Sequence, residues 1–203
     1  MREPAAKKRS VRRPLRGSPE STQDRLLSAA AELFNRHGYH GTDSNRIAAH
    51  AGYATGTFYK HFKDKRSVFL AVCQKWSAEQ WNAIQAEIAQ LRPPQVIARS
   101  LVAVSIKFHT QWRGLRASLL EMTFSDAAVR RFYLEQRRSE IDLIAAIREA
   151  YGWRPHPREQ DAVLLFSCER TYDAIARGEL EALGMDRNAV VEAMVRRIVE
   201  ALT

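Results

Sequence analysis

The sequence predicts an all-α protein of about nine helices. Three observations carry this. Apolar residues recur at spacings of three and four, as in Leu26, Ala30, Leu33 and Phe34, and again in Val190, Val191, Met194, Val195 and Ile198. No stretch shows the strict apolar–polar alternation of a half-buried strand. Glycines and prolines fall between the periodic segments, at Gly38, Gly52, Pro93-Pro94, Gly152, Pro155 and Gly184, where helices are expected to stop.

The chain in order begins with a basic arm over residues 1–20, rich in Arg and Lys and broken by Pro4, Pro14 and Pro19. Proline and like charge argue against a helix there. Such an arm suits a path along phosphates or into a minor groove, and equally a solvated leader. Ser21 and Asp24 have the spacing of a capping box, so the first helix is expected from Ser21. His37-Gly38 ends it. A second short helix starts near Thr42 or Asp43, either of which suits an N-cap. Ile47, Ala48 and Ala51 form its apolar edge, and Gly52 stands where a turn needs positive φ. A third helix, about Thr55 to Phe62, buries Phe58 and Phe62 at i, i+4. From Asp64 a long helix runs to about Gln90, until Leu91-Arg92-Pro93-Pro94 breaks it. Further helices are expected over 95–112, 115–124, 126–151, 158–178 and 186–201, with a break at Arg113-Gly114.

Composition narrows the class. With 45% hydrophobic and 27% charged residues, the 203-residue chain has the profile of a soluble globular protein. No apolar run approaches the ~20 residues of a membrane span, and no apolar stretch follows the charged N-terminus as in a secretory signal. Cys73 and Cys168 suit free thiols in a reducing compartment, with a pair as the alternative. A cytoplasmic protein is expected. The net charge of +9 is unevenly spread: residues 1–65 hold 13 Lys/Arg against 6 Asp/Glu, and residues 66–203 hold 19 against 17. A basic excess confined to one end points to a polyanionic partner.

The two short helices explain which polyanion. A helix as short as the third cannot support itself and must be docked on neighbours. With Phe58 and Phe62 inward, Thr55, Gly56, Thr57, Tyr59, Lys60 and His61 are left to face outward. Hydroxyls, a phenol, an ammonium and an imidazole are donors suited to phosphates and base edges. This is a helix-turn-helix pattern, its second helix the reader of double-stranded DNA.

The residues also carry a resemblance. Ala-Glu-Leu-Phe-Asn-Arg-His-Gly-Tyr at 31–39, Gly-Thr at 41–42, Ile47-Ala48, Ala51-Gly52 and Gly-Thr-Phe-Tyr-Lys-His-Phe at 56–62 with Lys65 resemble the DNA-binding domain of the TetR family of bacterial transcriptional repressors. The match covers about 22–72, a quarter of the chain. It implies a DNA-binding domain over 21–70 and a helical effector-binding and dimerisation domain over 71–203. It implies phosphate contacts at Ser44, with Asn45 or Thr42 beside it, and DNA contacts from Tyr53, Ala54, Thr55, Gly56 and Thr57. Tyr59, His61 and Lys65 match positions that hold phosphate. The chain departs from the family at Ala54, where many members have Ser or Thr, and at Thr55, where many have Lys. Ala54 has no side-chain cap, so Thr55 is expected to take that role.

The second domain offers less. The last two helices are apolar over too much of their circumference for one neighbour, which predicts a homodimer built on them. The family implies the same. Trp76, Phe108, Trp112, Phe124, Phe132 and Phe166 are many large rings for one domain, and an apolar pocket among them would take a small-molecule effector. Glu121 and Glu169 are its candidate polar anchors, with His109 and Gln111 weaker ones. Ordinary core packing is the alternative for each. No Gly-rich phosphate loop, nucleophile elbow or metal-ligand cluster occurs, so no enzyme, cofactor or metal is expected. The expectation is a homodimeric repressor released from a pseudo-palindromic operator by a small ligand. The alternatives are a ligand-independent regulator or activator whose second domain is only a scaffold, and a helical enzyme or partner-binding protein that keeps the helix-turn-helix as structure.

Overall fold

The computed structural model describes the backbone of residues 19–90 and 92–203 and the side chains from residue 21 onward, Leu91 excepted. The basic arm expected over 1–20 lies outside the described residues, apart from a backbone already helical at Pro19 and Glu20. Among the described residues the chain forms ten helices and no strand. They are α1 (Pro19–His37), α2 (Ser44–His50), α3 (Thr55–His61), α4 (Lys65–Ile88), α5 (Pro94–Gln111), α6 (Arg113–Ser125), α7 (Ala127–Ala150), α8 (Arg158–Arg177), α9 (Glu179–Ala182) and α10 (Arg187–Leu202).

Three boundaries differ from the sequence reading, each for a local reason. Helix α1 is already formed at Pro19, so Ser21 lies inside it and is not its N-cap. Proline is well suited to a first helical turn, because its missing N–H is one the helix would not use. The break expected at Arg113-Gly114 falls one residue earlier. Trp112 leaves helical geometry (φ −111°, ψ 26°), and α6 restarts at once with Gly114 inside it. The four-residue α9 follows Gly178, which caps α8 at φ +71°. Glu-Leu-Glu-Ala is too short to show a periodicity.

Two of the later helices start on side-chain caps. Asp126 accepts from the backbone N–H groups of Ala128 (2.8 Å) and Val129 (3.1 Å) at the start of α7. Asp186 accepts from Asn188 (2.8 Å) at the start of α10. Each satisfies donors that a helix N-terminus leaves unpaired.

The chain divides into two compact units, Met1–Val72 and Cys73–Thr203. The first holds α1 to α3 and the start of α4. Its core is aromatic: Phe34, Phe58 and Phe69 are fully buried with Leu26, Ile47 and Val68. Phe69 meets Phe34 edge-on at 5.1 Å and Tyr39 at 5.0 Å, arrangements favoured by ring quadrupoles. In the second unit α5 packs on α8 and α10, and α6 on α7. Ala98, Val102, Ile147, Tyr172, Ile175, Met194, Val195 and Ile198 form one core between α5, α7, α8 and α10. The buried set of α5 is Ile97, Ala98, Val102, Ser105 and His109, with Leu101 and Ile106 partly buried against the same core and Val96 exposed. No helix among the described residues is long and apolar enough to cross a membrane.

Candidate nucleic-acid interface and the interior of the helical unit

The interface is built from α1 upward. Leu26, Ala30, Leu33 and Phe34 make an apolar floor on α1. Helix α2 lays Ile47 and Ala48 into the same core. Its N-cap is Asp43, whose Oδ1 accepts from the Arg46 N–H at 2.9 Å. The chain then reverses through Gly52 at φ +81°, and the Tyr53 N–H bonds the Ala48 carbonyl at 2.9 Å. Only glycine adopts that backbone without strain. Ala54 caps α3 in extended geometry with no side-chain bond. Thr55 does not take over the cap: its hydroxyl donates to Asn45 Oδ1 at 3.0 Å, linking α3 to α2.

Helix α3 is anchored by Phe58, fully buried, and followed by buried Phe62. This fixes which side of the helix is outward. Tyr59 is 56% exposed. Gly56 and Lys60 are exposed, and Thr55, Thr57 and His61 are half-buried beside them. On the neighbouring elements Asn45 and Ala54 are exposed, and Ser44 and Tyr53 half-buried. The structure therefore brings ten of the sequence-selected residues onto α2, the turn and α3. A Cβ added at Gly56 would meet nothing within 4 Å. The protein itself gives no packing reason for a glycine there.

Two selected residues are placed differently. Thr42 is buried, and its hydroxyl donates to the carbonyls of Gly38 (3.0 Å) and Leu33 (3.3 Å). It holds the end of α1 and is not on the open face. Lys65 directs its ammonium to the carbonyls of Tyr39 and Thr42, both at 3.0 Å, and over the Tyr39 ring at 4.1 Å. Burial pushes its pKa below the usual lysine range, with Asp43 opposing. Arg46, which the sequence reading passed over, is exposed and bonds the Gly41 carbonyl.

In the helical unit the candidate pocket residues scatter. Trp76 and Phe132 are buried, Phe108 and Trp112 half-buried, and Glu121 exposed. Phe124 is 86% and Phe166 50% exposed, so neither lines an interior. A cleft of ≈ 720 Å³ opens instead between the loop before α8, α8 itself and α10, walled by Leu164, Cys168, Val190 and Met194. None of the eight selected residues lines it. Two of them retain an unused group: the buried indole N–H of Trp76 and that of Trp112 have no hydrogen-bond partner among the described residues.

Glu169 belongs to a buried ionic cluster drawn from four helices. Its Oε1 accepts from Arg116 Nη2 at 3.1 Å and from Arg137 Nη1. Arg116 Nε also bonds Asp173 Oδ1 at 2.6 Å, and His109 Nδ1 lies 2.9 Å from the same oxygen. Arg137 reaches Glu140 Oε1 at 3.0 Å and stacks 4.8 Å over the Tyr133 ring. Burial pushes the Asp173 carboxyl up, but the hydrogen bonds from His109 and Arg116 outweigh it and hold the group at about 2. Burial lowers the His109 pKa against the pull of Asp173. The sequence signal was faint: Arg116 stands between Leu115 and Leu119, on the inward stripe of α6.

A compact helix-turn-helix unit with an open reader helix, joined to a larger all-helical unit, defines the class as helix-turn-helix proteins. Residues 26–72 match the family model of the bacterial regulatory proteins, tetR family. Through this segment the chain is similar to the DNA-binding part of that family. It is 36% identical over 67 residues to the HTH-type transcriptional regulator QacR of Staphylococcus aureus, covering 31% of this chain and 35% of that one. It is 25% identical over 119 residues to the HTH-type transcriptional repressor AcnR of Corynebacterium diphtheriae, covering 59% of each. The first curated relatives are matched over 29–59% of their own length. Among solved structures, the fatty acid degradation regulator FadR from Bacillus halodurans superposes with a TM-score of 0.70 at 19% identity, over 91% of this chain and 97% of that one. A tetR-family regulatory protein from Rhodococcus RHA1 does so at 0.67 and 20%, over 89% and 96%. At these identities the likeness is one of fold.

Proposed function

We propose that the protein is a sequence-specific, DNA-binding transcriptional regulator that works as a homodimer and is released from a pseudo-palindromic operator by a small apolar or amphipathic effector. The observation that carries the DNA reading is the open face of α3. Tyr59, Lys60 and Gly56 are exposed there while Phe58 fixes the helix from behind. A helix of this kind presents donors to base edges in the major groove and to flanking phosphates. Gly56 would let the backbone approach the duplex closely, and Ser44, Asn45, Tyr53, Ala54, Thr55, Thr57 and His61 would border the same contact.

The dimer reading is supported by α8 and α10. Val163 is 66% and Phe166 50% exposed on α8, beside the apolar cleft that separates it from α10. A second copy would cover this surface and place two reader helices about 34–36 Å apart, one turn of DNA. The effector reading is supported by the unpaired indole donors of Trp76 and Trp112, for which a polar ligand group would supply acceptors. A relative 27% identical over 61% of this chain is the fatty acid metabolism regulator protein of Bacillus subtilis, in keeping with an effector bearing an apolar chain. An effector preferring one state by about 1–3 kcal/mol changes DNA affinity roughly 5- to 150-fold. Relatives include both a repressor and the activator FasR of Mycolicibacterium smegmatis, and repression is the simpler use of operator binding.

Fluorescence anisotropy tests this, with labelled DNA from upstream of the gene against a scrambled duplex at two salt concentrations. Tight, salt-dependent preference for the upstream fragment is expected. Absence of binding to either duplex at low salt would overturn the reading. Tyr59→Phe is expected to weaken binding by roughly three- to tenfold, the worth of one hydrogen bond to phosphate. A second reading, a regulator without an effector, is favoured by the ionic cluster of α5 to α8, whose charges satisfy one another. A thermal-shift screen with apolar carboxylates and cationic amphiphiles separates the two.

A further inference from the structure

We propose that Lys65 is a positioning residue for DNA binding: its ammonium clamps the α1–α2 loop, and so sets the start of α2, without itself neutralising a phosphate. This rests on the DNA-binding reading above. Lys65 is the first residue of α4, where Asp64 and Ser67 form a reciprocal cap, Ser67 N–H to Asp64 Oδ1 at 2.7 Å and Asp64 N–H to Ser67 Oγ at 3.1 Å. A cation is unfavourable at that end of a helix dipole. The side chain leaves it for the carbonyls just beyond the C-terminus of α1, where the dipole favours positive charge. There it donates to Tyr39 and Thr42 at 3.0 Å each and lies 4.1 Å from the centre of the Tyr39 ring.

The loop it holds is tight and leads straight into the interface. A Cβ at Gly41 would come within 2.2 Å of the His37 carbonyl, so the loop backbone lies against the last turn of α1. Thr42 closes it from the other side through its bonds to Leu33 and Gly38. Next come Asp43, the cap of α2, and Ser44 and Asn45, the first residues of the helix. Asn45 in turn holds Thr55 of the reader at 3.0 Å. Two of the three ammonium protons are spent on carbonyls, and the chain of contacts runs from Lys65 through the loop to α2 and α3.

The salt dependence of binding separates a clamp from a phosphate contact. A phosphate contact contributes about 0.9 to the slope of log K against log salt, and a clamp contributes nothing. Affinity for a mixed-sequence 30-base-pair duplex would be measured across a salt series for the wild type, Lys65→Met, Lys65→Arg and Thr42→Val. Lys65→Met and Thr42→Val are expected to bind roughly tenfold more weakly with the wild-type slope, and Lys65→Arg to recover most of the loss. A slope reduced by about 0.9 in Lys65→Met alone overturns the proposal. Hydrogen exchange in the DNA-free protein is the independent arm. Amides of residues 38–44 are expected to lose protection in Lys65→Met while those of α8 and α10 do not. Unchanged protection at 38–44 overturns the clamp, and a wild type that ignores DNA overturns only the reading it rests on, since the exchange arm still decides the clamp.

Discussion

The two units use polar side chains in opposite ways. In Met1–Val72 the core is almost wholly apolar, and the donors of α3 stand outside it. In Cys73–Thr203 two arginines, a histidine and three carboxylates are folded inward and paired with one another. A second inward pair lies apart from them: Arg148 Nη1 is 2.5 Å from Asp161 Oδ1 and its other donors bond the Ala201 carbonyl, joining α7, α8 and the end of α10. Unspent donors on a rigid floor are available to a partner. Paired charges in an interior fix how helices meet, and they become a liability as soon as one is removed.

The largest expected effect breaks the interior pair. Asp161→Ala leaves the Arg148 guanidinium buried without its counter-charge, and urea denaturation is expected to show a loss of about 3–5 kcal/mol. The double variant Arg148→Met with Asp161→Leu is expected to recover most of it, because the unpaired charge is then gone. A loss below about 1 kcal/mol for the single change would mean that water reaches the pair.

Acid comes next. Asp173 is held at about 2 in the folded chain against an unfolded value of 3.8, so its contribution is complete above pH 4 and disappears as pH falls towards 2. The shift corresponds to about 2 kcal/mol. The folded-state pKa of His109 is below its unfolded value of 6.5, so its contribution also falls as the pH drops below that value. Stability measured from pH 7 to pH 3 is therefore expected to decline from about 6.5 downward, and Asp173→Asn is expected to flatten the lower part of that curve. No change between pH 7 and 4 would show that the His109 pKa is not depressed in the folded state.

The smallest effect has opposite signs in the two readouts. Gly56→Ala has open space for its methyl group and lies in a helix, so it is expected to stabilise the protein by up to about 1 kcal/mol. The same methyl group is expected to weaken DNA binding, because the backbone is then kept from the duplex. A stabilised variant with unchanged affinity would remove Gly56 from the interface.

The first unit was legible because its information is local. Phe58 and Phe62 at i, i+4 imply the outward positions of α3 without any knowledge of what they pack against. Gly52 announces the turn by the backbone only glycine adopts, and Asp43, Asp126 and Asp186 announce helix starts by a bond within their own neighbourhood. What the sequence left out there was long-range. Thr42 and Lys65 have the chemistry of phosphate ligands, and their spacing in the chain says nothing of the carbonyls at the end of α1 that they meet in space. In the second unit the same limit applies more widely. Phe124 and Phe166 have the composition of a pocket lining and point to solvent, while Arg116 and Arg137 have the composition of a surface and are buried.

Residue order alone decided the all-helical class, the element boundaries to within a few residues, the helix-turn-helix and the face it presents. Each follows from periodicity, caps and backbone-restricted residues acting over a turn or two. The tertiary structure alone decided which distant polar groups meet. His109 and Asp173 are 64 positions apart, Arg137 and Glu169 are 32, and Lys65 and Tyr39 are 26. Such pairs form because helix packing has already brought the groups together, and a charge in an interior is tolerated only where a partner waits for it.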